Sequence, residues 1–503
     1  MTILGLSYGF HDAAASLIDD KGNILFAGHA ERYSKIKHDR HLNRALLEDA
    51  FLRTKSIPHT IAYYENPWLK KTRQAYSGQW KDFFNMQDVS LRKMVHAQTG
   101  YEFGKATEFK YYGHHLAHAA AGFQTSPFSH ATVVVIDAIG EWDTITLWNA
   151  SYDSYGEAHY EKVWGAKYPN SIGLFYSAMT DRVGLRPLDE EYILMGMAAY
   201  GLPMYTQDLM DTFWDINGKN IIRMKENLHA GTNWRSSELM EEQDNYDIAA
   251  SSQQVLEFIV GHIMAYAKKH CHSTNLVYMG GVALNCVANT NIARNWSDIW
   301  IMPNPGDAGS SLGAAALAYG KKLKWKSPYL GHELYGDYPE AELIKELLDG
   351  NIVGVAHGRA EFGPRALGNR SLIADPRGDD IKDKVNEIKR RQKFRPFAPM
   401  ILNEHASDYF AMPPWETNPY MQSVYGCTRL GFPAILHVDS TSRVQTVGRN
   451  DHSGVRELLE KWYVLTDCPM LLNTSLNIRG EPMINTRADA DRFEKHYGVK
   501  VLS

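Results

Sequence analysis

The sequence predicts an α/β protein of two domains, the first of which is built from a repeated strand pattern. At 503 residues the chain is too long for one ordinary hydrophobic core. A strand, a polar turn and a second strand occur near residue 10 and again near residue 140. Between residues 320 and 340 the composition changes to lysines, prolines and turn residues, which indicates a linker. We therefore predict one domain over residues 1–335 and another over residues 345–503.

The repeated pattern has the same parts in both copies. In the first copy His11 and Asp12 lie in the turn between two apolar strands, and in the second copy residues 137–143 form the corresponding turn. The predicted strands are residues 2–7, Ala13–Ile18, Ile24–Ala27, Ala131–Ile136 and Thr144–Trp148. Any β-hairpin gives this pattern, but two copies suggest a duplicated α/β architecture that holds a nucleotide between its halves, as in actin and the sugar kinases.

Composition excludes several classes of protein. Apolar residues make up 44% of the chain and charged residues 22%, as in a globular protein. The net charge of -5, from 53 basic and 58 acidic residues, gives no general attraction to nucleic acid or to an anionic membrane. Four scattered cysteines without CxxC spacing argue against a disulfide framework or a thiolate zinc site. Because no signal peptide or membrane-spanning run is evident, we expect a soluble cytoplasmic protein.

A histidine-rich stretch, residues 113–121, is the first candidate for chemistry. If it is helical, His114 and His118 stand at positions i and i+4 and share one face, close enough to bind a single metal ion. His115 points away from that face. A surface pair or a satisfied core pair has the same spacing, so the pattern alone leaves both interpretations open.

Two glycine-containing turns follow later in the first domain. A helix is predicted over Ser251–His270, with Ser251 and Ser252 as its cap, and a strand over Leu276–Met279. The next residues, Gly280 and Gly281, could bring backbone N–H groups close to a phosphate or a ribose. Asp307 lies on a tight loop before a helix of small residues, where it is either a functional carboxylate or a helix cap.

The second domain opens with a predicted strand, Ile352–Ala356, and then becomes strongly basic. Residues 379–393 read as a helix whose charges pair at i,i+4 on a solvated face. By contrast, Phe362–Arg370 is a glycine-bounded loop with two arginines, which is suitable material for a phosphate cradle. Residues 60–112 combine aromatic and basic side chains, as either a solvated amphipathic surface or a lid over an acceptor.

Long motifs in both domains resemble the NodU/CmcH/TobZ-type O-carbamoyltransferases. The match covers nearly the whole chain, in the order of the family. The motifs that carry it are Asn170–Gly173, Met195–Ala198, Gly280–Asn285, Gly306–Gly309, Phe362–Arg370, Asp375–Arg377, Arg395–Pro399, His437–Asp439, Arg443–Val447 and Leu472–Pro482.

The resemblance implies a fold and an activity. The N-terminal domain is expected to be TsaD-like, with the actin/Hsp70/sugar-kinase fold, and the C-terminal domain to be YrdC-like. The C-terminal domain of such an enzyme forms carbamoyl-adenylate from carbamoyl phosphate and ATP with Mg. The N-terminal domain then transfers the carbamoyl group to a hydroxyl of an acceptor. A homodimer is a further expectation from the family.

The resemblance also assigns residues. A metal, iron(II) with manganese or zinc as alternatives, is expected on His114, His118, Asp137 and Asp307. His11 is expected to be the general base, oriented by Asp12, and Lys393 the catalytic lysine of the C-terminal domain. The residues expected to bind carbamoyl phosphate and ATP are Arg365, Arg370, Lys393, Arg395, Arg443, Asn473, Ser475 and Asn477. Nucleotide contacts in the N-terminal domain are expected from Gly173, Gly280, Gly281, Asn285 and Gly309.

Two positions depart from the family pattern, and the acceptor stays open. Ala138 replaces a usual glycine, and Ile193 replaces a usual lysine whose nucleotide contact is then in doubt. Natural products, sugars and a hydroxymethylated pyrimidine nucleotide are possible acceptors, whereas a nucleic-acid polymer is unexpected. The alternatives are threonylcarbamoyl-type transfer in tRNA modification, disfavoured by the acidic net charge, and a non-catalytic actin/Hsp70-like nucleotide-binding protein.

Overall fold

The chain is described by a computed structural model that covers residues 1–54, 57–84, 89–216, 221–236 and 241–503. It forms two compact units. The first contains residues 1–27 and 40–325, and the second contains residues 28–39 and 326–503. The change between them therefore falls inside the predicted linker region. The inclusion of residues 28–39 in the second unit has no signal in the sequence, because it depends on contacts with residues more than 300 positions away.

The first unit contains two five-stranded sheets with one topology. Numbered along the chain within each sheet, the strands lie in the order 3-2-1-4-5 in both. Strands 1, 2 and 3 of the second sheet are antiparallel neighbours, as is the pair 1 and 2 of the first, and strands 1 and 4 are parallel in both sheets. The predicted duplication is confirmed by this repeat. The strands are Thr2–Ser7, Ala14–Asp19, Ile24–His29, Thr60–Tyr63 and Glu108–Tyr111 in the first sheet, and His130–Gly140, Asp143–Tyr152, Ala158–Lys167, Asn275–Met279 and Asp298–Trp300 in the second.

The helices of the first unit include one long helix whose start was predicted wrongly. It runs over Glu242–His270, because Asp244 accepts the backbone N–H of Glu241 and caps the helix nine residues earlier than expected. Ser251 lies inside the helix and donates its hydroxyl to the Asp247 carbonyl. The other α-helices are Arg44–Leu52, Pro67–Tyr76, Trp80–Phe84, Leu91–Thr99, His114–Phe123, Ile172–Arg182, Glu191–Met197, Thr206–Phe213, Cys286–Ala293 and Ser310–Tyr319.

The second unit is built on a six-stranded mixed sheet. From edge to edge its strands are Gln445–Val447, Ala398–Leu402, Met470–Ser475, Arg370–Ala374, Val353–Ala356 and Val501–Leu502. A separate pair joins Tyr329–Leu334 to Gly358–Glu361, so the predicted linker already contains a strand of this unit. Its α-helices are Glu31–Ser34, Glu340–Leu348, Ile381–Ile388, Ala406–Tyr409, Ser453–Thr466 and Arg487–Tyr497. The helix predicted over residues 379–393 is shorter than expected, because it ends at Ile388. Within the described residues, no helix is long and apolar enough to span a bilayer.

Candidate functional site

Four side chains of the first unit converge on one point. His118 Nε2 lies 3.1 Å from His114 Nε2 and 3.2 Å from Asp307 Oδ1. His114 Nε2 lies 3.2 Å from Asp137 Oδ2 and 3.3 Å from Asp307 Oδ1. The four ligand atoms all lie within 4.8 Å of one another, and all four side chains are nearly inaccessible to solvent. The structure thus brings together every metal ligand expected from the sequence.

Glycines, which have no side chain, allow the segments around the cluster to pack closely. A Cβ on Gly313 would lie 1.8 Å from the Ala117 carbonyl oxygen, so only glycine lets the helix after Asp307 pack against the histidine helix. In the same way, a Cβ on Gly140 would lie 2.3 Å from His114 Cδ2. Small residues in these segments therefore set the positions of the ligands, in addition to the ligands' own spacing. His115 turns away from the cluster, as predicted, and contacts Thr146 Oγ1 at 2.9 Å.

The donor set fits a divalent cation. Burial alone would favour neutral carboxyls and neutral imidazoles. Burial raises the pKa of Asp137, but its contacts with His114 and His118 outweigh this and hold the pKa well below the usual range. Burial likewise lowers the pKa of His114, and the Asp307 carboxylate outweighs it and raises the pKa. Two ionised carboxylates and two imidazoles facing each other match the mixed nitrogen and oxygen ligands of iron(II), manganese(II) or zinc(II).

His11 stands beside this cluster with a defined tautomer. Its Nδ1 lies 2.8 Å from Asp12 Oδ2, and since an ionised carboxylate only accepts, Nδ1 carries the hydrogen. The other ring nitrogen, Nε2, lies 3.6 Å from Asp307 Oδ2 and is left to accept a proton. About a quarter of each of the His11 and Asp12 side chains is exposed, so both remain within reach of an acceptor. Burial lowers the pKa of His11, but Asp307 and Asp12 outweigh it and raise the pKa to about 9. Nε2 is therefore protonated at neutral pH until a cation on Asp307 offsets that carboxylate, and only then can it accept a proton.

Glu65, which sequence reasoning missed, contacts the metal ligand His114 on the side away from the cluster. Its Oε1 lies 3.2 Å from His114 Nδ1, and its Oε2 accepts from Lys70 Nζ at 2.6 Å. Burial raises the pKa of Glu65, but Lys70 and His114 outweigh it and lower the pKa to about 2. An ionised Glu65 holds the hydrogen of His114 on Nδ1, which leaves Nε2 free for a metal. No motif marks a single glutamate after a strand.

Replacing Glu65 by glutamine is expected to weaken manganese(II) binding by about 10- to 100-fold, because the His114 ring loses its anionic partner. Titration calorimetry on the purified chain measures this affinity directly. Glu226→Gln removes an equal charge from an exposed position and is expected to bind the metal as the unmodified protein does. Equal affinities in the two variants would show that Glu65 does not tune the site.

The expected nucleotide-binding glycines mainly allow close backbone packing. Gly280 has a φ of +94°, and a Cβ there would lie 2.1 Å from the Ile136 carbonyl oxygen. The N–H of Gly281 reaches Asp137 Oδ1 at 3.2 Å, so this turn also positions a metal ligand. Gly173 packs on the backbone of Ala138, and Gly309 packs on that of Asn304.

The other nucleotide-related positions have structural partners. Asn285 caps the helix that begins at Cys286 and exchanges side-chain hydrogen bonds with Gln253. Ile193 is 1% exposed and belongs to the core. The side chain at this position is therefore buried in this chain.

In the second unit, Ser475 and Asn477 surround a lysine that was not expected there. Lys389 Nζ donates to the Asn477 carbonyl at 2.8 Å, to Asn477 Oδ1 at 3.0 Å and to Ser475 Oγ at 3.2 Å. The sequence predicts a solvated helix face for Lys389, but the helix ends at Ile388 and Lys389 is buried. It is 4% exposed, and burial lowers its pKa well below the usual range. Lys393 itself is exposed.

The loop Phe362–Arg370 is held by buried polar side chains. Glu361 Oε1 accepts the backbone N–H groups of Leu367, Asn369 and Arg370 at 2.8, 2.9 and 3.2 Å. Asn473 Nδ2 donates to the Ala366 carbonyl at 3.0 Å. Arg370 is 0% exposed, and its terminal nitrogens donate to the carbonyls of His332, His357, Gly358, Asn369 and Asn485. Arg370 thus ties several backbone segments together, and the phosphate contact expected of it stays a prediction. Arg365, Arg395 and Arg443 lie half-buried.

His452 contacts the same loop, and its protonation is expected to make the stability of the second unit depend on pH. The Nδ1 atom of His452 accepts the Val455 N–H, so Nε2 carries the hydrogen and donates it to Asn369 Oδ1. Burial lowers the pKa of His452 to about 4. In the unfolded chain His452 takes up a proton near pH 6.5, whereas in the folded chain it stays neutral until about pH 4. The second unit should therefore lose about 2 kcal/mol of stability as the pH falls from 6.5 towards 4.

Urea unfolding at pH 7 and pH 5 measures this change in the free energy of unfolding. His452→Asn, which can still cap the helix, should remove that part of the pH dependence. An unchanged pH dependence in the variant would contradict the assignment.

Comparison with known proteins identifies the family. Residues 2–316 match the family described as Carbamoyltransferase N-terminus, and residues 344–503 match Carbamoyltransferase C-terminus. The chain belongs to the carbamoyltransferase family. As a carbamoyltransferase it is an enzyme, which excludes the alternative of a non-catalytic nucleotide-binding protein.

Named relatives extend over both units of this carbamoyltransferase. It is 33% identical to an uncharacterized protein of Synechocystis sp., over 97% of this chain and 93% of that one. It is 32% identical to the nodulation protein NolNO of Sinorhizobium fredii, over 95% of this chain and 76% of that one. Among solved structures it is similar to the activator of the 2-hydroxyisocaproyl-CoA dehydratase from Clostridium difficile with bound ADPNP, at 14% identity over 63% of this chain and 94% of that one, with a TM-score of 0.35.

Proposed function

We propose that the protein is an ATP-dependent O-carbamoyltransferase that activates a carbamoyl group in its second unit and transfers it in its first. The observation that carries this proposal is the placement of His11 Nε2, 3.6 Å from a carboxylate of the His114, His118, Asp137 and Asp307 cluster. A proton acceptor next to a candidate metal site is the arrangement that attack of a hydroxyl on a carbonyl requires.

The activation step joins two anionic substrates. Carbamoyl phosphate, ATP and water give carbamoyl-adenylate, pyrophosphate and inorganic phosphate. The P–O bond of carbamoyl phosphate is cleaved by water, and a carbamate oxygen then attacks the α-phosphorus of ATP and expels pyrophosphate. Positive charge is needed where these anions meet, and we assign that role to Lys393, Arg365, Arg395 and Arg443. Mg²⁺ would accompany the ATP as co-substrate.

The transfer step uses the first unit. His11 Nε2 takes the proton of the acceptor hydroxyl, while Asp12 keeps the ring in the required tautomer. The acceptor oxygen then attacks the carbamoyl carbon, and AMP leaves with the bridging oxygen on its phosphate. A metal held by the two histidines and two aspartates would supply a Lewis acid for the carbonyl or for the phosphate of AMP.

The acceptor is proposed to be a small hydroxyl-bearing molecule, such as a natural product, a sugar or a hydroxymethylated pyrimidine nucleotide. Exposed aromatic residues support a partner with a flat or ring-shaped face. Trp68, Tyr76 and Trp80 are each more than half exposed on two consecutive helices. The first of these helices is tied to the metal-site hairpin, because Trp142 Nε1 donates to Thr72 Oγ1 at 3.0 Å.

Product analysis tests the proposed function. The full chain is incubated with carbamoyl phosphate, ATP, Mg²⁺ and iron(II), together with a panel of hydroxylated acceptors, and the products are quantified. We expect equal amounts of pyrophosphate, AMP and carbamoylated acceptor. Formation of ADP with a phosphorylated acceptor would contradict the proposal, and so would the absence of ATP turnover across the whole panel.

Two lysine variants separate a chemical role from a structural one in the second unit. Lys393→Ala should stop pyrophosphate release without changing the melting temperature, because the side chain is exposed. Lys389→Met should stop it and also lower the melting temperature by several degrees, because buried carbonyls lose their donor. The exposed Lys384→Ala should change neither property. If Lys393→Ala released pyrophosphate normally while Lys389→Met did not, Lys389 would take over the assigned role.

A further inference from the structure

The short segment of residues 28–39 belongs to the second unit although it lies near the start of the chain. Its helix, Glu31–Ser34, is fixed there by several contacts. Arg32 Nη2 donates to the Gly363 carbonyl at 2.9 Å, and Lys35 forms an ion pair with Asp489. Tyr33 packs edge-on against His332. The segment therefore presents Arg32 to the loop Phe362–Arg370.

Arg32 is buried with most of its hydrogen-bonding capacity unused. The residue is 3% exposed, and within the described residues its Nε and Nη1 atoms are buried without a hydrogen-bond partner. A buried donor left unpaired destabilises the folded protein. Native proteins rarely leave such groups without a partner, so a guanidinium in this state indicates a binding group that the protein alone does not supply.

The neighbourhood of Arg32 favours an anion. Burial lowers the pKa of Arg370 to about 10, and the positive charge of Arg32 acts in the same direction, so the two guanidinium groups are close in space. Glu361 faces both guanidinium groups, and its Oε1 is already engaged by the loop, while Glu31 also acts on Arg32 and Asp489 on Arg370. In the described part of the chain, these two guanidinium groups have three buried nitrogens without a hydrogen-bond partner, Arg32 Nε, Arg32 Nη1 and Arg370 Nε, and the carboxylate facing both has one such oxygen, Glu361 Oε2. The unpaired donors of the guanidinium pair thus outnumber the unpaired acceptor of that carboxylate.

We propose that Arg32 binds a phosphate group in the second unit, which makes an N-terminal residue part of the activation site. This assignment adds a residue to the activation site of the proposed function and rests on that function for the identity of the ligand. The phosphate group could come from carbamoyl phosphate or from the triphosphate of ATP. Both present oxygens that only accept hydrogen bonds at the charged edge, which is what the unpaired N–H groups of Arg32 require.

Binding measurements on the full chain test the proposal. Calorimetric titrations with carbamoyl phosphate, with ATP and with inorganic phosphate are compared for the unmodified protein, Arg32→Met and Arg449→Met. Arg449 is an exposed arginine of the same unit, so its variant controls for the lost charge. Arg32→Met should weaken at least one ligand by about 10- to 100-fold, while Arg449→Met stays within about 2-fold. Selective loss of carbamoyl phosphate or of ATP identifies the source of the phosphate group.

Two other outcomes can be distinguished, namely unchanged affinities and an Arg32→Met variant that does not fold. Unchanged affinities for all three ligands in Arg32→Met would overturn the proposal and make Arg32 a structural residue satisfied by water. If Arg32→Met does not fold, Arg32→Lys keeps the charge, and the phosphate-dependent rise in melting temperature at constant ionic strength replaces calorimetry. A rise equal to that of the unmodified protein would also overturn it. Arg32-dependent binding without pyrophosphate release would refute the proposed function and leave the anion site standing.

Discussion

His11→Ala is expected to reduce carbamoyl transfer by about a thousand-fold or more while activation of the carbamoyl group continues. The imidazole is the group placed to take the acceptor's proton, with Nδ1 fixed by Asp12 and Nε2 directed at the cluster. The activation step is assigned to the second unit, whereas His11 belongs to the first. Transfer to an acceptor and release of pyrophosphate are followed in the same reaction, so the two steps are measured separately.

The control for this variant is an exposed histidine of the same unit. His272→Ala should leave both steps as they are in the unmodified enzyme, since His272 lies far along the chain from every metal ligand and is exposed. Equal loss of pyrophosphate release and transfer in His11→Ala would show that the steps are not divided in this way. Retention of transfer would remove His11 from the role of base.

Asp307→Asn is expected to weaken metal binding by at least about 100-fold and, as a consequence, to stop carbamoyl transfer. The change keeps the shape of the side chain but removes an anion that lies 3.2 Å from His118 Nε2 and 3.3 Å from His114 Nε2. Without this charge, the two imidazoles lose one of the carboxylates that a divalent cation would need beside them. Metal content after dialysis against iron(II) or manganese(II) is measured by elemental analysis.

The matched variant for Asp307 is Asp298→Asn, which neutralises an exposed aspartate in the same unit and should retain the metal. Activation of the carbamoyl group should continue in both variants. If Asp307→Asn bound as much metal as the control, with the same affinity, the four-residue cluster would not be the metal site.

Only the histidine pair of the metal cluster carries a local signal, because two histidines at i and i+4 share a helix face wherever the helix lies. Asp137 and Asp307 were expected as ligands from the resemblance to the family. The glycines that bring the segments together, Gly140 and Gly313, could not be identified in advance. Their partners, His114 and Ala117, become neighbours only once the fold exists.

The second unit was harder to predict because charge pattern does not report burial. Arg370 and Lys389 look like solvated or ligand-binding cations in the sequence, yet both are buried and donate to backbone carbonyls. Arg32 has no signal at all, since its role depends on Gly363, 331 residues away. The sequence predicts Ser251 as a helix cap because serine is common at caps, whereas Glu241 and Asp244 form the cap of the observed helix.

In the proposed mechanism one unit activates the carbamoyl group and the other transfers it. The decisive measurement follows ¹³C-labelled carbamoyl phosphate in the His11→Ala enzyme with ATP, Mg²⁺ and the acceptor, by mass spectrometry of the nucleotides and of the acceptor after quenching. We expect labelled carbamoyl-adenylate together with pyrophosphate, and no labelled acceptor. Labelled acceptor formed at the normal rate, or ADP in place of carbamoyl-adenylate, would contradict it.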